Sequence, residues 1–374
     1  MSHDAIEYVA QQLRSAETFA TIFGPMPTGD LKQKHAALRK QFGYLAKSVH
    51  PDQVPNNLQR KAAEAFDALT QLRNRAEEAI EKGTYDQPFA IYNGSVIQSG
   101  TSIYTLAQNA FAAGDFSNLY RARMEGRNPL EVIVKISSDP SNNAWLEKEA
   151  MMLQTFGSPK RADLSPIKAS VPELIDTFLI SGERNTRYRI NVTKFVPGQM
   201  SLSSIIDAFP RGLPPPHAAW IGRRILAQTL ASAMAGVVHT AIIPDHVLVD
   251  PIKHEPIHIG WAHAIDPSTG ERVRYAIDRF KDWYPPEVWN KQTPTHATDL
   301  YMAAKTIVKL LGGDTKRDTF PAGVPKPMAD VILACLEKSP SRRPQDGRKV
   351  LDDFTRVVRA QWGTEYRPLT VPMR

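Results

Sequence analysis

Cysteine is nearly absent from this chain of 374 residues, Cys335 being the only one. An intrachain disulfide and a cysteine-built metal site are thereby excluded. Long apolar runs are missing as well; none approaches the roughly 20 residues that a membrane-crossing helix needs. The opening stretch MSHDAIEYVAQQL carries acidic residues and no apolar core, so it does not read as a secretory leader. No low-complexity block interrupts the chain. Together these absences lead to the expectation of a soluble cytoplasmic protein from a reducing compartment, without membrane contact.

What is present is globular in character. The length is generous for one domain and comfortable for two. The net charge is +7, from 46 Lys and Arg against 39 Asp and Glu. Residues 1–82 carry 11 basic and 10 acidic side chains, so nearly all of the excess lies beyond them. A basic excess can attract nucleic acid. No basic stripe interleaved with aromatics supports that here, and nucleic-acid binding is not expected.

Periodicity divides the chain by texture. Leu31, Leu38, Phe42 and Leu45 recur at helical spacing, and so do Phe66, Leu69, Ala76 and Ile80. Between them VHPDQVPNN should stop the first helix with its prolines and cap the second with its asparagines. A shorter helix around SAETFATIFG should end at Gly24. EKGTYDQP, residues 81–88, reads as a break. After it SIYTLAQNAF, LEVIVKIS and RYRINVTKFV read as strands. From about residue 200 AAWIGRRILAQTLASAMAG and DLYMAAKTIVKLLGG read as long helices closed by glycine. GLPPPH, residues 212–217, reads as a rigid connector into the first of them.

The triplet His50, Pro51, Asp52 follows a stretch with Lys32, Lys34, Arg39, Lys40 and Lys47 and no acidic residue. A short helix, a basic helix, this triplet and a second helix together resemble the J-domain of DnaJ-type co-chaperones over about residues 15–82. The resemblance implies docking on a DnaK-type heat-shock chaperone. Lys34, Arg39, Lys40 and Lys47 would meet an acidic surface, and His50, Pro51 and Asp52 would trigger ATP hydrolysis. The glycine- and phenylalanine-rich linker and the zinc repeats of the wider family are missing.

A second resemblance, to protein kinases, covers about residues 101–362. FAAGDFSNLYRAR is similar to the glycine-rich loop, but only Gly114 remains of three glycines. VIVK supplies Lys135 at the strand lysine, with Ile133 crowding the adenine slot. WLEKEAMMLQTF supplies Glu149 as its helix partner, with Leu153 packing one turn later. TKFVPGQMSL is similar to the hinge between lobes. In GVVHTAIIPDHVLVD, His239 is kept, while Thr240, Ala241 and His246 replace the family's arginine, catalytic aspartate and metal-binding asparagine. In IHIGWAHA, Gly260, Trp261 and Ala262 stand where the family has Asp-Phe-Gly. Glu287 of WYPPEVW, Asp299 of the helix DLYMAAKTIVKLL and Arg343 of CLEKSPSRRP match architectural positions, with Glu287 and Arg343 expected to form a buried ion pair. Transfer of phosphoryl groups depends on charge neutralisation and positioning, and the degenerate positions Ala241, His246 and Gly260 hold no carboxylate.

The fold expected is therefore multidomain: an all-α J-domain hairpin over 1–82, a linker over 83–100, an α+β bilobal kinase-like domain over 101–362 and a tail over 363–374. The small lobe would span 101–196 and the large lobe 197–362. Gly114, Ile133, Lys135 and Glu149 would line a vestigial nucleotide pocket. The function implied is that of a co-chaperone that stimulates a DnaK-type ATPase and directs it to a protein target held by an inactive kinase-like domain. An atypical phosphotransferase using Lys135 with Asp245 or Asp250 is the alternative, and a scaffold whose hairpin no longer signals is a third. No cofactor and no metal are expected. His254 and His258 are four apart, but Pro256 lies between them in a loop and strand, which does not suit a shared ion.

Overall fold

The computed structural model describes residues 6, 9, 12–13, 18–83, 85, 94–126, 129–158, 164–182, 185–196, 198–251, 254–363, 369 and 371. Half of the expected break at 81–88 and most of the expected tail lie outside them, as does Pro197 of the expected hinge. The chain forms two compact units, one chiefly over Met1–Val96 with Thr105–Phe111, the other over Ile97–Tyr104 and Ala112–Pro372.

The first unit is helical. Helix α1 (Phe19–Phe23) starts at Thr18, whose hydroxyl accepts from the Thr21 amide, and stops at Gly24 in the left-handed region, φ 78°. Helix α2 (Leu31–Val49) starts at Asp30, whose carboxylate accepts from the Gln33 amide. Helix α3 (Gln59–Lys82) ends at Gly83, also left-handed. Helices α2 and α3 run antiparallel: His35 lies by Glu81, Phe42 by Phe66 and Arg73, and His50 by Phe66. Leu38, Val49, Leu69, Ala76 and Ile80 are buried between them with Phe19 and Phe23. Two expectations fail locally. Leu31 is exposed, because it is the first residue of its helix and faces water. The cap position of α3 is Leu58 rather than an asparagine, and it carries no side-chain hydrogen bond; Asn56–Leu58 form a 3-10 turn that feeds directly into the helix.

The second unit is mixed α+β, with a mostly antiparallel sheet. Seven strands lie in the order β1 (Val96–Ser99), β2 (Ser102–Leu106), β4 (Ser117–Met124), β5 (Leu130–Ser137), β7 (Arg187–Lys194), β6 (Leu174–Ser181), with the short β3 (Ala112–Ala113) pairing with β4. The run SIYTLAQNAF is strand only as far as Leu106. Alternation explains β5, where Val132 and Val134 are buried, whereas β7 is covered on both faces from Ile190 to Thr193. Helix α4 (Asn143–Gly157) packs on β6 and β7, with Asn191 of β7 donating to the Leu146 carbonyl at 2.8 Å.

The remainder is helical around one apolar core. Its long elements are α5 (Pro215–Met234), α6 (His296–Leu310), α7 (Lys326–Cys335) and α8 (Gly347–Trp362). GLPPPH does lead into α5, with prolines at its first turn. Ile221, Ile225, Met302, Ile307, Ile332 and Phe354 meet in its centre. A second, three-stranded sheet, β10 (Glu255–His258), β9 (Val247–Asp250), β8 (Met200–Ser201), interrupts this helical region. Those strands are too short to register as a period in the sequence. Among the described residues no helix is long and apolar enough to cross a membrane.

Candidate functional site

In the first unit the His-Pro-Asp triplet ends α2. His50 is its C-terminal flanking residue, and Pro51–Gln53 form a 3-10 turn. The His50 Nδ1 accepts from the Asp52 amide at 3.3 Å, and the ring stands edge-on to Phe66, centroids 5.2 Å apart. His50 is thus half-buried while Asp52 is exposed. Arg39, Lys40 and Lys47 are exposed along α2, and Lys34 is partly covered. Lys47 lies in the last helical turn, where a cation is favoured by the helix dipole.

In the second unit Lys135 projects from β5 and Glu149 from α4. Lys135 Nζ donates to Glu149 Oε1 at 2.6 Å, and Asn191 Nδ2 donates to Glu149 Oε2 at 3.2 Å. Both members of the ion pair are nearly withdrawn from water. Ile133, half-buried two residues earlier on β5, sits in register between Arg121 and Thr193. Gly114 closes the turn between β3 and β4, its amide donating to the Ser117 carbonyl at 2.8 Å.

The loop after α5 is held from below. Asp299, near the start of α6, accepts from the His239 amide at 2.6 Å and the Thr240 amide at 2.9 Å. Burial pushes the Asp299 carboxyl up to about 7, against the pull of these two amides. Thr240 has φ 60°, uncommon for a β-branched residue. Its hydroxyl donates to the His263 carbonyl at 2.9 Å, so the strained turn is fastened on both sides. His239 Nε2 donates to the Ile259 carbonyl at 3.0 Å, and its Nδ1 accepts from the Ala241 amide at 3.3 Å. Both ring nitrogens are thereby used, and burial pushes the ring's basicity well down, with nearby histidines adding to it. His239 is not placed to act as a base.

The positions at 246 and 260 are coupled sterically. Gly260 is left-handed, φ 81°, and a Cβ built on it would lie 2.8 Å from His246 Nδ1. A carboxylate side chain at 260 cannot coexist with the imidazole of His246 as it stands. His246 Nδ1 is 3.1 Å from the Ala241 carbonyl oxygen, and its Nε2 is 3.1 Å from Asp115 Oδ2. Asp115 also meets His263 Nε2, at 2.9 Å. Burial alone would raise the Asp115 carboxyl; the hydrogen bonds and charges of His246 and His263 outweigh it and hold the carboxyl well below the usual range. Beside it, Phe116 stacks on Trp145 with centroids 4.4 Å apart and rings nearly parallel. The tip of the β3–β4 hairpin is therefore folded onto the loops at 239–263.

The histidines are arranged as the proline between 254 and 258 led one to expect for that pair, while a different set converges. His254 and His258, singled out by spacing, do not meet: His254 pairs with His217 at 3.2 Å, and His258 lies against His239. The histidines that do converge are His246 and His263, with a carboxylate from residue 115. Only the adjacency of 246 and 263 to the same loop region could have hinted at it. Asp245, considered as a substitute acid, is taken up by ion pairing with Arg279 and by the Ser203 hydroxyl.

Glu287 and Arg343, expected to pair, do so out of water. Nη1 and Nη2 of Arg343 reach the two carboxylate oxygens at 2.5 and 2.9 Å. Thr298 donates to Glu287, and the remaining arginine donors reach the carbonyls of Ala297, Glu337 and Lys338. No protein-family model matches the chain, and no curated protein does.

Proposed function

We propose that the first unit is a J-domain that stimulates a DnaK-type chaperone ATPase, and that the second is a kinase-like domain without phosphotransferase activity that binds the protein to be acted on. The observation that carries the first part is the turn His50-Pro51-Asp52, set at the end of a helix whose Arg39, Lys40 and Lys47 are exposed. Exposed cations on one face suit an acidic partner surface and speed its encounter. Support for the second part comes from the loops at 239–263. Ala241 offers no acid or base, both nitrogens of His239 are engaged, and the His246 ring fills the space beside Gly260. The co-chaperone acts in the same compartment as its partner, which this reading places in the cytoplasm.

The test is single-turnover ATP hydrolysis by a DnaK-type chaperone with and without the full chain. Stimulation is expected from wild type and none from His50→Gln. Since His50 also rests on Phe66, a circular-dichroism melt of the variant must accompany the assay. Equal stimulation by a folded His50→Gln variant rejects the reading.

One observation favours the phosphotransferase alternative: the intact Lys135–Glu149 ion pair, which in active kinases serves nucleotide phosphates. With Asp245 occupied by Arg279 and Ser203, the expected outcome is no radiolabel transfer from ATP with magnesium. Transfer that Lys135→Ala removes would establish the alternative.

A further inference from the structure

Asp115, His246 and His263 form a constellation that the co-chaperone reading does not use. Their donor atoms all lie within 4.8 Å of one another. They come from three separate places in the second unit: the β3–β4 hairpin tip, the loop before β9 and the loop after β10. Both rings are buried, and the carboxylate is largely so.

Hydrogen-bond accounting points to a cation. The Ala241 carbonyl can only accept, so His246 carries its proton on Nδ1 where the two meet. A neutral ring then turns a lone pair at Nε2 toward Asp115 Oδ2, 3.1 Å away. Two acceptors at that separation repel unless positive charge lies between them, either a second proton or a metal ion. A backbone carbonyl on Nδ1–H is also the arrangement that orients a histidine for metal binding through Nε2. Gly260 adds to this, since only a residue without a side chain leaves room for the ring in that position.

We propose that Asp115, His246 and His263 bind a divalent transition-metal ion, Zn2+ being the cation that this donor set suits. Two imidazole nitrogens and one carboxylate oxygen are zinc ligands, whereas magnesium and calcium take oxygen. Bonds of about 2.0–2.1 Å in a tetrahedron set donor atoms about 3.4 Å apart. The two contacts at 2.9 and 3.1 Å need widen by only a few tenths of an ångström to admit the ion, and the two imidazole nitrogens, which lie within 4.8 Å of each other, must settle at the same spacing. The fourth position is left for water or a ligand. Because Asp115 sits on the hairpin and both histidines on loops of the helical region, the ion fastens the hairpin tip over the loops at 239–263. The proposal is independent of what the first unit does.

The experiment uses the full chain, stripped with a chelator and desalted, then loaded with Zn2+ and passed over gel filtration for metal analysis. Retention of about one ion per chain is expected. Calorimetric titration should show affinity lowered by more than about 100-fold in each of Asp115→Asn, His246→Gln and His263→Gln, beyond the 10–100-fold typical of losing an outer partner. His254→Gln, in the separate His217 pair, should bind as wild type does, and millimolar Mg2+ should not compete. Co2+ in place of Zn2+ should give visible absorption that Asp115→Asn removes. Zinc should also slow amide hydrogen exchange over residues 114–117. Asp115 lies at a hairpin tip outside the apolar cores, so its variant should fold, as tryptophan fluorescence will show. A wild-type chain that retains no zinc overturns the site, and so does binding that survives in the triple variant. Exchange unchanged by bound zinc overturns the fastening of the hairpin.

Discussion

The two units use charge in opposite ways. In the first, the groups that matter to the proposed contact stand in water: Arg39, Lys40, Lys47 and Asp52 are all exposed. In the second, the singled-out charges are buried: Glu149, Glu287 and Arg343 are ion-paired away from solvent, and the Asp299 carboxyl is held by two backbone amides. Exposed charge contributes little to folding and remains available to a partner. Buried charge costs much to desolvate, and removing one partner leaves the other stranded. The difference teaches that Arg39, Lys40 and Lys47 stand where a partner can reach them, while Glu149, Glu287 and Arg343 are committed to architecture. All six tryptophans lie at or beyond Trp145, so their fluorescence reports on the mixed unit alone.

The largest effect should come from the most fully satisfied pair. Arg343→Ala strands the Glu287 carboxylate and is expected to cost about 3–5 kcal/mol. Denaturant unfolding followed by tryptophan fluorescence should show it; a midpoint equal to wild type would mean that the pair carries no stability. Next, Gly260→Ala brings a Cβ against the His246 ring in a left-handed backbone. Strain and overpacking together should cost about 2–4 kcal/mol. Adding His246→Ala should recover part of it, and a strictly additive double variant would refute the steric coupling.

Acid should act on the mixed unit more gradually. Burial holds His258 down at about 3 and His254 at about 4, with neighbouring charges adding to both. Their folded values lie below the ordinary 6.5, so stability from keeping them neutral is full above pH 6.5 and is lost as pH falls toward 4 and 3. Each group contributes at most about 1.4 kcal/mol per pH unit in that window. Unfolding curves at pH 7.5, 6, 5 and 4 should show it, and His258→Leu should flatten the dependence. The smallest effect on stability belongs to the hairpin surface. Neutralising Arg39, Lys40 and Lys47 should leave melting nearly unchanged, while weakening chaperone association in a way that added salt imitates. A clear loss of stability would show those charges to be structural after all.

Several features were legible in the sequence because they are local or carry a strong chemical signature. Gly24 and Gly83 end helices because glycine adopts the left-handed region at little cost. The alternation of Val132 and Val134 in β5 follows from a pleated strand with one face more deeply covered. The Glu287–Arg343 and Lys135–Glu149 pairs were readable at a distance only through the motifs that contain them. Other features had no local trace. The asparagines before α3 looked like caps, and the cap position is Leu58 instead. The strands β8–β10 are held by pairing with each other rather than by any pattern of their own.

By itself the sequence determined that helices stop at Gly24 and Gly83, which faces of the hairpin helices are apolar, and that positions 241 and 260 carry no acid, since these depend on residue type and near neighbours. Tertiary structure alone decided that Asp115, His246 and His263 meet, that Gly260 yields its space to the His246 ring, and that Asp299 holds Thr240 in a strained turn. The reason is distance along the chain. Residue 115 reaches 246 and 263 only after the sheet and the helical region have packed, and no periodicity records a contact across more than 100 residues.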